Sequence, residues 1–167
     1  RKANLNRIKN NNYNNCENLF GRGLSFHIAP SNVPINFAYS LLMGLLSGNY
    51  CIIRVSKKKF IQANYLINAI NKVLEQPEHH QLRKFISILE YDREKDINDF
   101  FSINCDIRII WGGDSTINEI RKSPLKPRSF DLTFADRYSA CTINAKTYIN
   151  SEDYLAVAEK FYNDTYI

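Results

Sequence analysis

Residues 23–59 read GLSFHIAPSNVPINFAYSLLMGLLSGNYCIIRVSKKK. No other run constrains the fold as strongly, because it holds a complete strand, turn, helix, stop and second strand. Leu24-Ser25-Phe26-His27-Ile28 has strand character. Pro30 and Pro34 bracket a polar turn, Ser31-Asn32, and stiffen it by fixing the backbone at both ends. Residues 35–46 have helical length and a face of small residues, punctuated by Gly44, Gly48 and Asn49. Cys51-Ile52-Ile53-Arg54-Val55 is the next short apolar strand, and it runs into Lys57-Lys58-Lys59. In a parallel α/β sheet, ligands bind outside the carboxyl ends of the strands. Asn32 and Arg54 both stand at such ends, so the unit offers a turn amide and a cation on one rim.

The rest of the chain repeats the alternation. Helices are expected over 60–76, over a short stretch ending near Asn104, over 114–122 and over 151–163, with Ser151 as N-cap of the last. Asp92 is a candidate cap for the second of these. Strands are expected over 85–91, 106–111, 130–134 and 139–144. Short connections between strands and helices predict an α/β fold, a Rossmann-like open and largely parallel sheet with helices on both faces. Residues 1–20 are rich in Asn and basic residues and are expected to form a polar N-terminal connection. Residues 21–167 are expected to form one nucleotide-binding domain, cut before the catalytic domain of a longer protein.

Composition narrows the function classes. At 167 residues the chain is long enough for one domain with a real core. No apolar run reaches the roughly 18 residues of a membrane span. The four cysteines, Cys16, Cys51, Cys105 and Cys141, are scattered with no C-x-x-C pair, so no metal site is expected and a reducing, cytoplasmic setting is. The net charge is +5, yet the cations are dispersed outside residues 57–59, and no basic run carries the aromatic interleaving of a nucleic-acid module. No nucleic-acid partner is expected.

Several residues are chemically suggestive by themselves. The Asn32 amide either satisfies its own turn or donates to a developing oxyanion. Three lysines at a helix start oppose the helix dipole, which favours an anionic partner there. Trp111-Gly112-Gly113-Asp114-Ser115 follows a strand and opens a helix. It is either a plain helix cap or a place where backbone and amides approach an anion. His27 reads as a packed histidine, His79-His80 as a solvated loop, and Cys141, in the middle of its expected strand, as a quiet core cysteine.

The order P-x-N-x-P at 30–34, Gly48-Asn49, then an apolar strand ending in a cation resembles the aldehyde dehydrogenase superfamily. With Trp111-Gly112-Gly113 and Ile120-Arg121 following, the chain more closely resembles the LuxC-type fatty acyl-CoA reductases that feed aldehyde to bacterial luciferase. That resemblance implies an enzyme that takes an acyl group from acyl-CoA or another acyl thioester onto a cysteine and reduces it to aldehyde with NADPH. The cysteine would lie beyond residue 167, so the isolated fragment is expected to be inactive, and the intact enzyme to be a homo-oligomer. Asn32 would serve the oxyanion hole. Cofactor contacts would fall at Pro30, Arg54, Ser56, Lys57, Gly112, Gly113, Asp114 and Ser115.

Departures from the superfamily pattern sharpen these expectations. Arg54 stands where the superfamily has a Lys that bonds the adenine ribose. Lys57 stands at the Glu that would repel a 2′-phosphate, so NADP(H) is expected over NAD(H). Asp114 replaces a Ser that contacts pyrophosphate, which moves that contact toward Ser115 or the amides of 113–116. Residues 133–139 lack the Glu of the hydrolytic members, although Asp136 supplies a carboxylate there. Alternatives from the residues alone are another superfamily reductase, such as one acting on a semialdehyde or glutamyl phosphate, and a non-catalytic α/β module that binds anions or nucleotides.

Overall fold

The computed structural model describes residues 20–58, 60–137, 140–151 and 153–166. The chain divides into two compact units, Arg1–Asp136 and Arg137–Ile167. The expected N-terminal connection lies, except for Phe20, outside the described residues.

The first unit is a five-stranded sheet. Its strands are β1 (Leu24–Ile28), β2 (Tyr50–Val55), β3 (Ile86–Glu90), β4 (Ile107–Trp111) and β5 (Phe130–Phe134). The spatial order is β3-β2-β1-β4-β5 and every pairing is parallel. Strands covered on both sides read as nearly continuous apolar, often β-branched runs, and β4 (IRIIW) does so. The expected α/β fold with helices on both faces is what forms.

Helices α1 (Asn36–Leu46) and α2 (Ile61–Leu74) cover one face, and a 3-10 segment, Pro77–Phe85, carries His79-His80 to β3. Ala63, Leu66, Ile67 and Ile70 recur at helical spacing and pack on the cluster of Phe37, Leu41, Cys51, Ile53 and Val55. Helices α3 (Lys95–Asn104) and α4 (Asp114–Ile120) cover the other face. There Ile97, Phe101 and Ile120 pack on Phe26, Ile28, Tyr91, Ile110 and Ile117. Asp92 does not cap α3, whose N-cap is Glu94 with no side-chain bond. Asp92 pairs instead with Lys57.

The Gly48-Asn49 pair ends α1. Gly48 takes φ +79, its N–H donates to the Leu45 carbonyl, and the Asn49 N–H donates to the Gly44 carbonyl. These are the two bonds of a Schellman cap, which favours glycine at the left-handed position. The Asn49 Oδ1 then accepts from the backbone N–H of Arg22 at 2.7 Å, tying the entry of β1 to the exit of α1.

The second unit holds α5 (Ala145–Ile149) and α6 (Tyr154–Tyr166). Asn144 caps α5 by accepting from the Thr147 N–H at 3.1 Å, and the Ser151 Oγ accepts from the Asp153 N–H just before α6. The strand expected over 139–144 is not there. Residues 140–144 are irregular and exposed, and residue 139 lies outside the described residues. Alternating residue types do not make a strand without a ladder partner. Cys141 is accordingly exposed, not a core cysteine.

Candidate functional site

Strand order reverses between β1 and β4, since β2 and β3 lie on one side of β1 and β5 lies beyond β4. At such a switch point the loops leaving the two central strands part company and open a crevice. A cleft of about 970 Å³ occupies this place. Its walls include Pro30, Ser31 and Asn32 from the loop after β1, Arg54 and Ser56 from the end of β2, and Trp111, Gly112, Gly113 and Ser115 after β4. Residues distant in sequence thus meet on one rim, as register requires: Ile28 pairs with both Arg54 and Ile110.

Asn32 is exposed at the mouth of this cleft. Arg54 is half-buried. Its Nε donates to the Tyr91 carbonyl at 3.1 Å and its guanidinium lies 5.5 Å from the Tyr91 ring centre. Burial lowers the Arg54 pKa, with Tyr91 and Asp92 acting against that shift. The Tyr91 hydroxyl donates to Asn98 Oδ1 at 2.8 Å, and burial pushes its pKa up to about 12. The ring is thus a neutral shelf for the cation. Lys57 stands outside the cleft wall, with its ammonium 3.8 Å from Asp92 Oδ2. Lys58 is the lysine of this run that lines the cleft, joined by Arg93, Lys95 and Lys122 against Asp92 and Glu119. The basic excess gives the rim a positive field that attracts anions.

The turn after β4 is built for close approach. A side chain on Gly113 would put its Cβ 2.7 Å from Asp136 Oδ2. The Asp114 N–H points to the same oxygen at 3.4 Å, so the Asp136 carboxylate already sits over the first turn of α4. Asp114 is exposed and absent from the cleft wall, whereas Ser115 lines it. Above the turn the Trp111 ring stacks on Phe134, with centroids 3.9 Å apart and planes 7° apart.

Sequence reasoning missed Tyr91, Arg93, Lys95 and Lys122. They carry no motif, and only the fold brings them to the rim. Among the described residues no group of His, Cys, Asp and Glu could hold a metal ion. Buried Cys51 and Cys105 make poor nucleophiles. Burial raises both thiol pKa values, Cys105 to about 11, although Ser25 opposes the shift at Cys51.

The acyl-CoA reductase (LuxC) family matches residues 1–164. This chain belongs to that family. A long-chain acyl-protein thioester reductase of Photorhabdus luminescens is 30% identical over 128 residues, 75% of this chain and 26% of the relative. Its counterpart in Aliivibrio fischeri is 28% identical over 127 residues, covering 74% of this chain and 26% of the relative. The LuxC-family chain described here therefore spans about a quarter of the length of these relatives. Among solved structures, an NAD-dependent benzaldehyde dehydrogenase from Corynebacterium glutamicum superposes with a TM-score of 0.54 at 16% identity, covering 70% of this chain and 25% of that one. The likeness is one of fold, and it is the aldehyde dehydrogenase fold that the motif order resembled.

Proposed function

We propose that this chain is the cofactor-binding part of an acyl thioester reductase that uses NADPH to turn an acyl group, carried on a cysteine of the catalytic domain, into an aldehyde. One observation carries the reading: the cleft at the β1/β4 switch joins the Asn32 turn, the Arg54 cation and the Gly112-Gly113 turn on a single rim. Its volume and basic walls fit a dinucleotide with phosphate groups. When bound, the dihydronicotinamide supplies the hydride. Arg54 and Lys58 would hold the 2′-phosphate, since a guanidinium forms charge-assisted pairs with phosphate oxygens, and Lys57 would add its charge from just beyond the cleft wall. Ser115 would meet the pyrophosphate. Asp136 would have to turn away from the Asp114 amide for an anion to reach it. Pro30, Ser56, Gly112, Gly113 and Asp114 complete the proposed cofactor contacts as backbone or flank.

In this reading Asn32 donates to the thioester oxygen as negative charge builds on it. Loss of one such donor costs about 2.7–4 kcal/mol in the transition state, or about a hundred- to a thousandfold in rate. Asn32→Ala in the intact enzyme should lower kcat by that factor and leave NADPH affinity nearly unchanged. A lower melting temperature with normal kcat per folded molecule would show that Asn32 only serves its turn. No described helix is long and apolar enough to cross a membrane. Separately from that, the acyl substrate is proposed to reach the enzyme on a carrier, as coenzyme A or a protein thioester, in the cytoplasm. The intact enzyme is proposed to be a homo-oligomer.

A further inference from the structure

A hydrogen-bonded chain runs from the cleft wall into the interior of the sheet. The Trp111 indole N–H donates to Ser40 Oγ at 3.1 Å, and Ser40 Oγ lies 2.7 Å from His27 Nδ1. His27 Nε2 lies 2.8 Å from Ser25 Oγ, which donates to the Tyr50 carbonyl at 2.9 Å. One assignment of protons satisfies every group. The Ser25 hydroxyl has two acceptors on β2, the Tyr50 carbonyl and Cys51 Sγ at 3.3 Å, and when it donates there it accepts from His27 Nε2–H. His27 Nδ1 is then an acceptor, filled by the Ser40 hydroxyl, whose lone pairs remain for the indole. All four donors point the same way, from Trp111 toward β2. His27 and Ser25 are fully buried and Ser40 nearly so.

The proposed reduction has no use for a histidine at this depth, and its neighbours on this face of the sheet are mainly apolar. What the chain does reach is the indole. Stacking on Phe134 and the edge of Tyr39 restrain the ring through apolar contacts that are tolerant of direction. The bond to Ser40 is directional and selects one side-chain rotamer. We infer that His27 is a positioning residue: through Ser40 it fixes the rotamer of the Trp111 indole, and with it the start of the Gly112-Gly113 turn that walls the cleft. The consequence for cofactor affinity rests on the nucleotide reading given above.

Trp111 is the sole tryptophan, so its indole N–H gives one resonance in nitrogen-edited NMR of the full chain. That resonance should be sharp and slow to exchange in the native protein. Ser40→Ala should move it upfield and speed its exchange about tenfold or more, while the backbone amide spectrum stays folded. Ser40→Thr should restore it, and His27→Leu should loosen it. An unchanged indole signal in folded Ser40→Ala and His27→Leu proteins overturns the inference. So does exchange at the free-indole rate in the native protein, a test that needs no variant. A titration with NADPH separates the two readings. Ser40→Ala should bind about tenfold more weakly. If the indole responds as expected but the native protein binds no NADPH, the positioning role stands and the nucleotide reading fails. If the native protein binds and Ser40→Ala keeps full affinity, the positioning inference fails.

Discussion

Two clusters of buried polar groups sit on neighbouring strands and solve the same problem in opposite ways. Under the cleft, Ser25, His27, Ser40 and Trp111 form a neutral chain in which each donor finds an acceptor. Toward the other end of β4, the Arg108 guanidinium is 1% exposed. It faces its cross-strand partner Asp131 through two bonds, Nε to Oδ1 at 2.7 Å and a terminal nitrogen to Oδ2 at 3.2 Å. Ser102 Oγ and the Ser123 carbonyl accept from its remaining terminal nitrogen. Neither Arg108 nor Asp131 lines the cleft. A buried charge tolerates no loss of its partner, whereas a neutral chain tolerates no added proton. The Arg108 cluster ties the α4–β5 flank together. The His27 chain sets the floor of the site.

The largest effect should come from Asp131→Ala. It leaves a buried guanidinium uncompensated, which typically costs about 3–5 kcal/mol. Replacing both partners by leucine should cost much less, because the desolvation penalty disappears with the charge. Urea denaturation of the two variants checks this, and a double variant as unstable as the single one breaks the contrast.

Acid should act on the other cluster. Burial holds the His27 pKa near 4, below its ordinary 6.5. Between those values the unfolded chain binds the proton and the folded chain does not, so stability falls as pH drops from 6.5 toward 4. The full loss is about 3 kcal/mol, at 1.36 kcal/mol per pH unit. Above pH 6.5 the contribution is complete and constant. His27→Asn should flatten this slope in denaturation curves recorded from pH 7 to 4, and an unaltered slope would remove His27 as its source.

A smaller effect is expected at Gly44, where α1 passes over the histidine. An added Cβ would lie 2.7 Å from Cys51 Sγ and 2.9 Å from His27 Cε1. Overpacking of this kind costs about 1–3 kcal/mol, and alanine's helix propensity returns about 1. Gly44→Ala should therefore lower stability by about 1 kcal/mol and disturb the Trp111 indole resonance. A stabilised Gly44→Ala variant would mean that α1 can lift off the sheet without harm.

The sheet was legible because its strands are apolar runs of strand length between turn residues, and the motif order placed the turns at their carboxyl ends. The packed state of His27 was legible for the same reason, since it stands between apolar Phe26 and Ile28 in a strand. Its partners were not. Ser40 and Trp111 are 13 and 71 positions from the atoms they bond. The Arg108–Asp131 pair was equally hidden, because register across β4 and β5 is a tertiary fact. At 139–144 the alternating pattern misled, because nothing in the local sequence reveals whether a neighbouring strand is present. The rim cations outside residues 54–58 belong to different elements and converge only once the helices have packed.

The central claim is that the cleft at the switch point selects a phosphorylated nicotinamide dinucleotide. Calorimetric titration of the full chain with NADPH, NADH and inorganic phosphate tests it most directly. NADPH should bind more tightly than either, and Arg54→Ala together with Lys57→Glu should erase its advantage over NADH, a loss of about 1.5–3 kcal/mol or roughly ten- to a hundredfold. An NADPH-to-NADH ratio unchanged by both substitutions, or NADPH binding no tighter than phosphate, would contradict it.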